Sequence, residues 1–304
     1  MARAPAPGGT PVRLLRPEVL ARLGSLELVA RTVVDGLTTG LHRSPHFGFS
    51  QEFAEYRAYA EGDDLRHVDW NVYARTDRAY VKRFEGETNT AVTLLLDASA
   101  SMGFGEPVSK LDQGRWLAAS LAWLARRQHD ALGLGVFDDA VREFQAPSAR
   151  PDSLPRALGL LERSGAGSGT DIVAALESLR ASMTRRGLVV LVSDLYADPD
   201  ALLDALRPLA HAGQDIAVFH VTDPFEVAPD MRRVSALADL ESDEAVIVDP
   251  TFLREGYRRR FEAHRDELAS ACRRVGADYV RLSSDEPLDA ALQAYLRFRE
   301  RRGR

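Results

Sequence analysis

Cysteine is all but missing: Cys272 stands alone in 304 residues. An intrachain disulfide and a cysteine-built zinc site are both excluded, and a reducing compartment fits. Long apolar runs are missing too. None approaches the roughly 18–20 residues of a membrane span, and the N-terminus lacks the apolar core of a signal peptide. The expectation is a cytoplasmic protein with no membrane span. An excess of positive charge is also absent. The formal net charge of −6 argues against broad binding to nucleic acid or to anionic membranes. What is present is ordinary for a globular chain, 45% hydrophobic and 28% charged. At this length about 75% of the unfolded surface can be buried, so disorder as the dominant state is excluded.

Residues 1–16, rich in Ala, Pro and Gly at the start, read as a flexible N-terminus. Leu20, Leu23, Leu26 and Val29 then recur at helical spacing and predict one helix from Pro17 to about Thr39. Residues 17–89 form an N-terminal helix and a β-rich appendage, with a turn at 61–64 and a strand at 80–85. From Thr90 the pattern changes. Continuous apolar runs at 92–96 and 188–192 read as strands covered on both faces. Amphipathic helices alternate with these and further strands to the end of the chain. That alternation predicts a doubly wound, mostly parallel α/β sheet over 90–304. One interruption, 236–248, reads as a hairpin within an insertion near 223–252.

The strongest local signal is Asp97-Ala98-Ser99-Ala100-Ser101, directly after the first buried strand. Strands of open α/β sheets deliver such residues to the carboxyl edge, where ligands bind. One carboxylate and two hydroxyls at alternate positions are hard oxygen donors, suited to Mg²⁺ or Mn²⁺ and not to zinc. Thr170 ends the glycine-rich run 165–169 ahead of a helix. Asp194 follows the second buried strand as Asp97 follows the first. The five residues are expected at a solvent-facing sheet edge, where substitution has little effect on folding.

This set resembles the metal-ion-dependent adhesion site of von Willebrand factor A domains: Asp-x-Ser-x-Ser, a distant Thr and a distant Asp. All five positions are filled, by Asp97, Ser99, Ser101, Thr170 and Asp194. A second resemblance covers roughly residues 44–295. Glu52-Phe53-Ala54-Glu55-Tyr56-Arg57-Ala58-Tyr59, Gly62-Asp63-Asp64-Leu65-Arg66 and Val68-Asp69-Trp70 are similar to the signature of family fifty-eight of the bacterial domains of unknown function. Members carry this segment ahead of a von Willebrand A-like domain and are commonly encoded beside MoxR-type AAA+ ATPases. The resemblance implies an adaptor or assembly role with such an ATPase; the expectation is a metal-dependent protein-interaction module, an adaptor or co-chaperone of that ATPase, and not an enzyme. Mg²⁺ needs six oxygens in near-octahedral geometry. A position left to water is expected to take an Asp or Glu side chain from the protein partner.

Other signals read more plainly. The 165–170 run lacks the Gly-Lys-Ser/Thr ending of a phosphate-binding loop. Gly133 and Gly135 lie within a strand, where close packing explains them. There is no Gly-x-Ser-x-Gly elbow. Cys272 shares a helical stripe with Leu268 and Val275 and reads as a buried, inert thiol, and His264 as a packed core histidine. His67 and Asp69 have no second histidine at ligand spacing. Asp63, Asp64, Arg66, Asp69 and Arg75 read as a charge network, and Arg297, Arg299, Arg301, Arg302 and Arg304 as a solvated helix end. A Mg²⁺-dependent hydrolase using Asp97 and Asp194 would need a base or a second metal. No histidine or lysine is evident beside the motif, which favours binding over hydrolysis. A scaffold with an empty site is the third reading.

Overall fold

The computed structural model describes residues 16–40, 53–59, 72–73, 75, 78–84, 90–180, 182–183, 185–229, 235–238, 245–248 and 256–302. Two short helices open it, α1 (Pro17–Leu20) and α2 (Leu26–Gly40). The single helix expected there is broken between Leu20 and Leu26. Gly24, with no side chain to order the backbone, lies in the break. Strands β1 (Phe53–Ala58) and β2 (Tyr80–Phe84) pair antiparallel. The turn at 61–64, His67 and Asp69 lie outside the described residues.

The main sheet has six strands in the order β10-β7-β6-β3-β4-β5. Its members are β3 (Ala91–Asp97), β4 (Ala131–Phe137), β5 (Val141–Ser148), β6 (Gly187–Ser193), β7 (Asp215–Thr222) and β10 (Asp278–Ser283). All are parallel neighbours except the edge strand β5, antiparallel to β4. Every residue of β3, β4 and β6 is buried, as expected of strands with helices on both faces. The fold is therefore a doubly wound α/β sheet with one antiparallel edge.

On one face pack α2, α3 (Lys110–Arg127), α4 (Ser153–Arg163) and α9 (Leu288–Arg302), burying residues such as Val92, Leu94, Leu96 and Phe219. The other face carries α5 (Ile172–Arg180), α6 (Pro199–His211) and α8 (Arg258–Arg274) over Leu95, Leu191 and Val218. A four-residue helix, α7 (Pro224–Val227), follows β7. Strands β8 (Ser235–Ala238) and β9 (Ala245–Val248) pair antiparallel as a hairpin. The two strand glycines are packing residues: a Cβ on Gly133 would lie 2.9 Å from Pro147, and one on Gly135 3.0 Å from Leu95. Cys272 is buried, its thiol pushed up to about 12 by burial. His264 is only half-buried; the core histidine is His220, 3% exposed. It lies inside an apolar strand, where side-chain alternation gave no reason to single it out.

At the amino edge of the sheet Asp130 is 6% exposed, and its Oδ2 has no hydrogen-bond partner among the described residues. Burial pushes its carboxyl up to about 7, against one hydrogen bond from the Thr90 backbone. Protonation therefore favours the folded state. The stability this confers is complete below about pH 4 and lost as pH rises through 7. Asp130→Asn removes the buried charge, while the unpaired amide N–H group it leaves cancels part of that gain. The variant should melt about 2–4 °C higher at pH 8, with a smaller gain at pH 5. Thermal melts at the two pH values check this.

Candidate metal site

Strands β3 and β6 are adjacent and in register from Ala91↔Gly187 to Leu96↔Val192. That pairing alone carries Asp97 and Asp194 to the same carboxyl edge. Asp97 Oδ1 accepts the Ser99 backbone N–H at 2.9 Å, and its Oδ2 accepts the Ser193 hydroxyl at 2.6 Å. The Ser99 and Ser101 hydroxyls lie 3.1 Å apart. Burial, with the charge of Asp194 added, pushes the Asp97 carboxyl up to about 7. The loop that carries Thr170 is stitched to the motif by Gly167 N–H to Ala98 C=O at 2.7 Å and Ala100 N–H to Ser168 C=O at 2.8 Å. Gly167 packs tightly against the ends of two side chains. A Cβ there would run into the Asp138 carboxylate and the Arg142 guanidinium, which pair with each other. Arg142 also donates to the Gly165 carbonyl at 3.1 Å. The loop is thus clamped from two sides.

Asp194 differs from Asp97 in its partners. Its Oδ2 accepts Lys110 Nζ at 2.8 Å. Its Oδ1 is buried with no hydrogen-bond partner among the described residues. The next residue, Leu195, is fully buried with φ 54°, a left-handed backbone that costs a non-glycine residue about 1–2 kcal/mol. Its N–H bonds to Ser193 Oγ at 2.9 Å. Strain is held beside the orphan carboxylate, as it often is at functional sites.

Lys110, Ser193, His220 and Glu226 escaped the sequence reading. The structure corrects the expectation that no lysine or histidine adjoins the motif. Lys110 opens α3 and bonds both Asp194 and Glu226. His220, paired with Ser193 across β6 and β7, lies 2.5 Å from Tyr279 Oη through Nδ1. Burial, helped by the neighbouring charges of His264, Lys110 and Arg265, pushes His220 down to about 3. It is neutral at pH 7, with little basicity to offer. The one available signal for Lys110 was its place in line with the apolar residues Leu117 and Leu121 of α3.

A second correction concerns depth. The site was expected at the solvent edge, yet Asp97 and Ser99 are 0%, Asp194 3% and Ser101 7% exposed. Loops cover the strand ends. Among the described residues no three His, Cys, Asp or Glu side chains gather into a metal cluster. The donor set is instead two carboxylates, Asp97 and Asp194, and the paired hydroxyls of Ser99 and Ser101. One carboxylate oxygen, Asp194 Oδ1, is buried and unpartnered among the described residues. That chemistry fits a small hard cation such as Mg²⁺ or Mn²⁺ and is a poor match to zinc.

No helix among the described residues is long and apolar enough to cross a membrane. An uncharacterized protein of Mycobacterium tuberculosis (strain ATCC 25618 / H37Rv) is 30% identical over 292 residues, covering 94% of this chain and 91% of its own. An uncharacterized protein of Mycobacterium avium is 29% identical over 163 residues, covering 51% of this chain and 93% of its own. Among solved structures the chain is similar to the conserved hypothetical protein BatB from Bacteroides thetaiotaomicron, at 17% identity over 69% of this chain and 98% of that one, with a TM-score of 0.46. It is similar also to the SpRpn10 VWA domain, at 10% identity over 67% of this chain and 93% of that one, with a TM-score of 0.39. Residues 55–267 match the family described as "Protein of unknown function DUF58", and the chain belongs to that family.

Proposed function

We propose that this protein binds Mg²⁺ or Mn²⁺ through Asp97, Ser99, Ser101, Thr170 and Asp194 and uses the ion to hold an acidic side chain of a protein partner. It then works as an adaptor of a MoxR-type AAA+ ATPase and is not itself an enzyme. The observation that carries the reading is the orphan Oδ1 of Asp194. It is a buried carboxylate oxygen without a donor among the described residues, next to a second carboxylate and two facing hydroxyls. Leaving such an acceptor unpaired costs about 1–3 kcal/mol, and a divalent ion, directly or through its water, supplies the missing partner. The ion would act here as a binding element, and the protein's own groups position it.

Two further features support binding over hydrolysis. Among the described residues the nitrogen groups beside the site are not free to activate water: the Lys110 ammonium is engaged by two carboxylates, and His220 is buried and barely basic. The surroundings are also aromatic. Tyr196 and Phe225 are 46% and 41% exposed, and Phe225 lies against Phe104 with ring centroids 6.0 Å apart. Exposed aromatics beside a polar anchor suit a protein partner. The adaptor role draws on the family resemblance alone.

Calorimetric titration with Mg²⁺, Mn²⁺ and Zn²⁺ tests the site. Uptake of Mg²⁺ or Mn²⁺, lost on Thr170→Ala, is the expected result. Tight Zn²⁺ uptake with no response to the other two ions would sink the assignment. The partner is tested by co-purification with a MoxR-type ATPase of the same genome. A complex that survives EDTA and Asp97→Asn refutes the metal-bridged mode.

A further inference from the structure

Lysine is almost never fully buried unless paired, and Lys110 is 0% exposed. Its Nζ lies 2.8 Å from Asp194 Oδ2 and 2.5 Å from Glu226 Oε1. The Tyr196 ring centroid is 5.0 Å from the same nitrogen and that of Phe104 5.9 Å. A desolvated ammonium needs such a cage of carboxylates and ring faces. Glu226 is itself fixed. Its Oε1 also accepts the Tyr196 hydroxyl at 3.1 Å, and its Oε2 accepts the Asp223 N–H at 3.1 Å in the capping box of α7. The ammonium therefore cannot swing away without leaving a buried carboxylate behind.

The placement of this charge is specific. An ammonium that substituted for a metal would lie between Asp97 and Asp194. Here both oxygens of Asp97 are taken by the Ser99 N–H and the Ser193 hydroxyl. Lys110 holds one oxygen of Asp194, and the other is left without a partner among the described residues. Lys110 flanks the position and does not fill it.

We infer that Lys110 is a built-in counter-cation of the candidate metal site, which orients Asp194 with one oxygen free and weakens the site's hold on a divalent ion, while Glu226 offsets part of that weakening. The inference rests on the metal reading above. Its physical basis is Coulombic. A fixed positive charge sharing a carboxylate with the ion repels it at close range, in a setting where salt screens poorly. The consequence for function is an ion held loosely enough to stay exchangeable and electron-poor enough to favour an incoming carboxylate. Lys110 is a positioning and affinity-setting residue, acting on the ion through Asp194.

The test uses Mn²⁺ alone, titrated into the full chain at pH 7.5 with free Mn²⁺ read by electron paramagnetic resonance. Lys110→Met keeps the stem and removes the charge, and should tighten Mn²⁺ binding at least tenfold. Glu226→Gln removes the offset and should weaken binding several-fold. The opposite signs matter. A lysine that merely props up Asp194 would, on losing either partner, misplace that carboxylate and weaken binding in both variants. Equal or weaker binding by Lys110→Met, or a shift of both variants in one direction, overturns the inference. Should Lys110→Met fail to fold, Glu226→Gln and the charge-preserving Lys110→Arg decide. Glu226→Gln binding as tightly as the parent protein, or Lys110→Arg binding tenfold tighter, refutes it. No Mn²⁺ uptake by the parent protein or any variant overturns the metal reading as well. Uptake by the parent with Lys110→Met unchanged overturns this inference alone.

Discussion

Asp97→Asn is expected to abolish metal uptake and, in the absence of metal, to make the protein more stable than its parent. The two halves share one cause. Asp97 is fully buried, and burial with the Asp194 charge raises its carboxyl to about 7 from 3.8. A raised carboxyl favours folding below the unfolded value, and that contribution is lost as pH rises through the folded one. Above pH 7 the folded protein therefore carries the full cost of an ionised, buried group, at most about 4 kcal/mol for a shift of this size. Asparagine keeps an oxygen for the Ser99 N–H and turns its amide toward Ser193. It recovers part of that cost, about 1–2 kcal/mol, or roughly 2–8 °C in melting temperature at pH 8. The gain should shrink toward pH 5 and vanish below pH 4. With Mn²⁺ the order should reverse. An ion at a hundred times its Kd adds about 2.7 kcal/mol to the parent and nothing to the variant. Melts of both proteins with EDTA and with Mn²⁺ read the crossing. Parallel curves, with Asp97→Asn below the parent throughout, would assign Asp97 to structure.

How far the sequence reveals such a site depends on how local its causes are. The buried strands were legible because a run such as Val92 to Leu96 has one physical use, and the carboxylates because each ends such a run. Lys110 was not. It is separated from Asp194 by 84 residues and from Glu226 by 116. A lysine at the start of an amphipathic helix normally reads as solvated, and only the meeting of two distant loops makes its burial tolerable. Ser193 is hidden for a related reason. As the last residue of an apolar strand it reads as the strand's end, and its bond to Asp97 exists only because β3 and β6 are neighbours. The break between α1 and α2 was missed because the leucine spacing continues through it. Periodicity records which residues meet the core, not whether the backbone between them is unbroken.

The pairing of β3 with β6 creates the site, and the residue most exposed to its failure lies at the opposite end of the sheet. Gly187 opens β6 opposite Ala91. A Cβ there would overlap the Ala91 carbonyl oxygen and lie 2.9 Å from the carbonyl carbon. These are backbone atoms of the neighbouring central strand and cannot rotate aside. Gly187→Val adds three carbons where one has no room. Overpacking of this kind costs roughly 3 kcal/mol or more, a fall of about 6–12 °C in melting temperature. Because the wedge enters between the strands that carry Asp97 and Asp194, the folded fraction at low temperature should also bind Mn²⁺ more weakly. Gly165→Ala is the control. A Cβ at Gly165 meets nothing within 4 Å among the described residues, although this glycine lies in the loop that carries Thr170. Its change should stay within about 0.5 kcal/mol and leave metal binding intact. Thermal melts and Mn²⁺ titration of the two variants separate a requirement for strand approach from a general intolerance of the glycines. A melting temperature for Gly187→Val within 2 °C of the parent would mean that β3 and β6 do not meet as closely as Ala91 and Gly187 require.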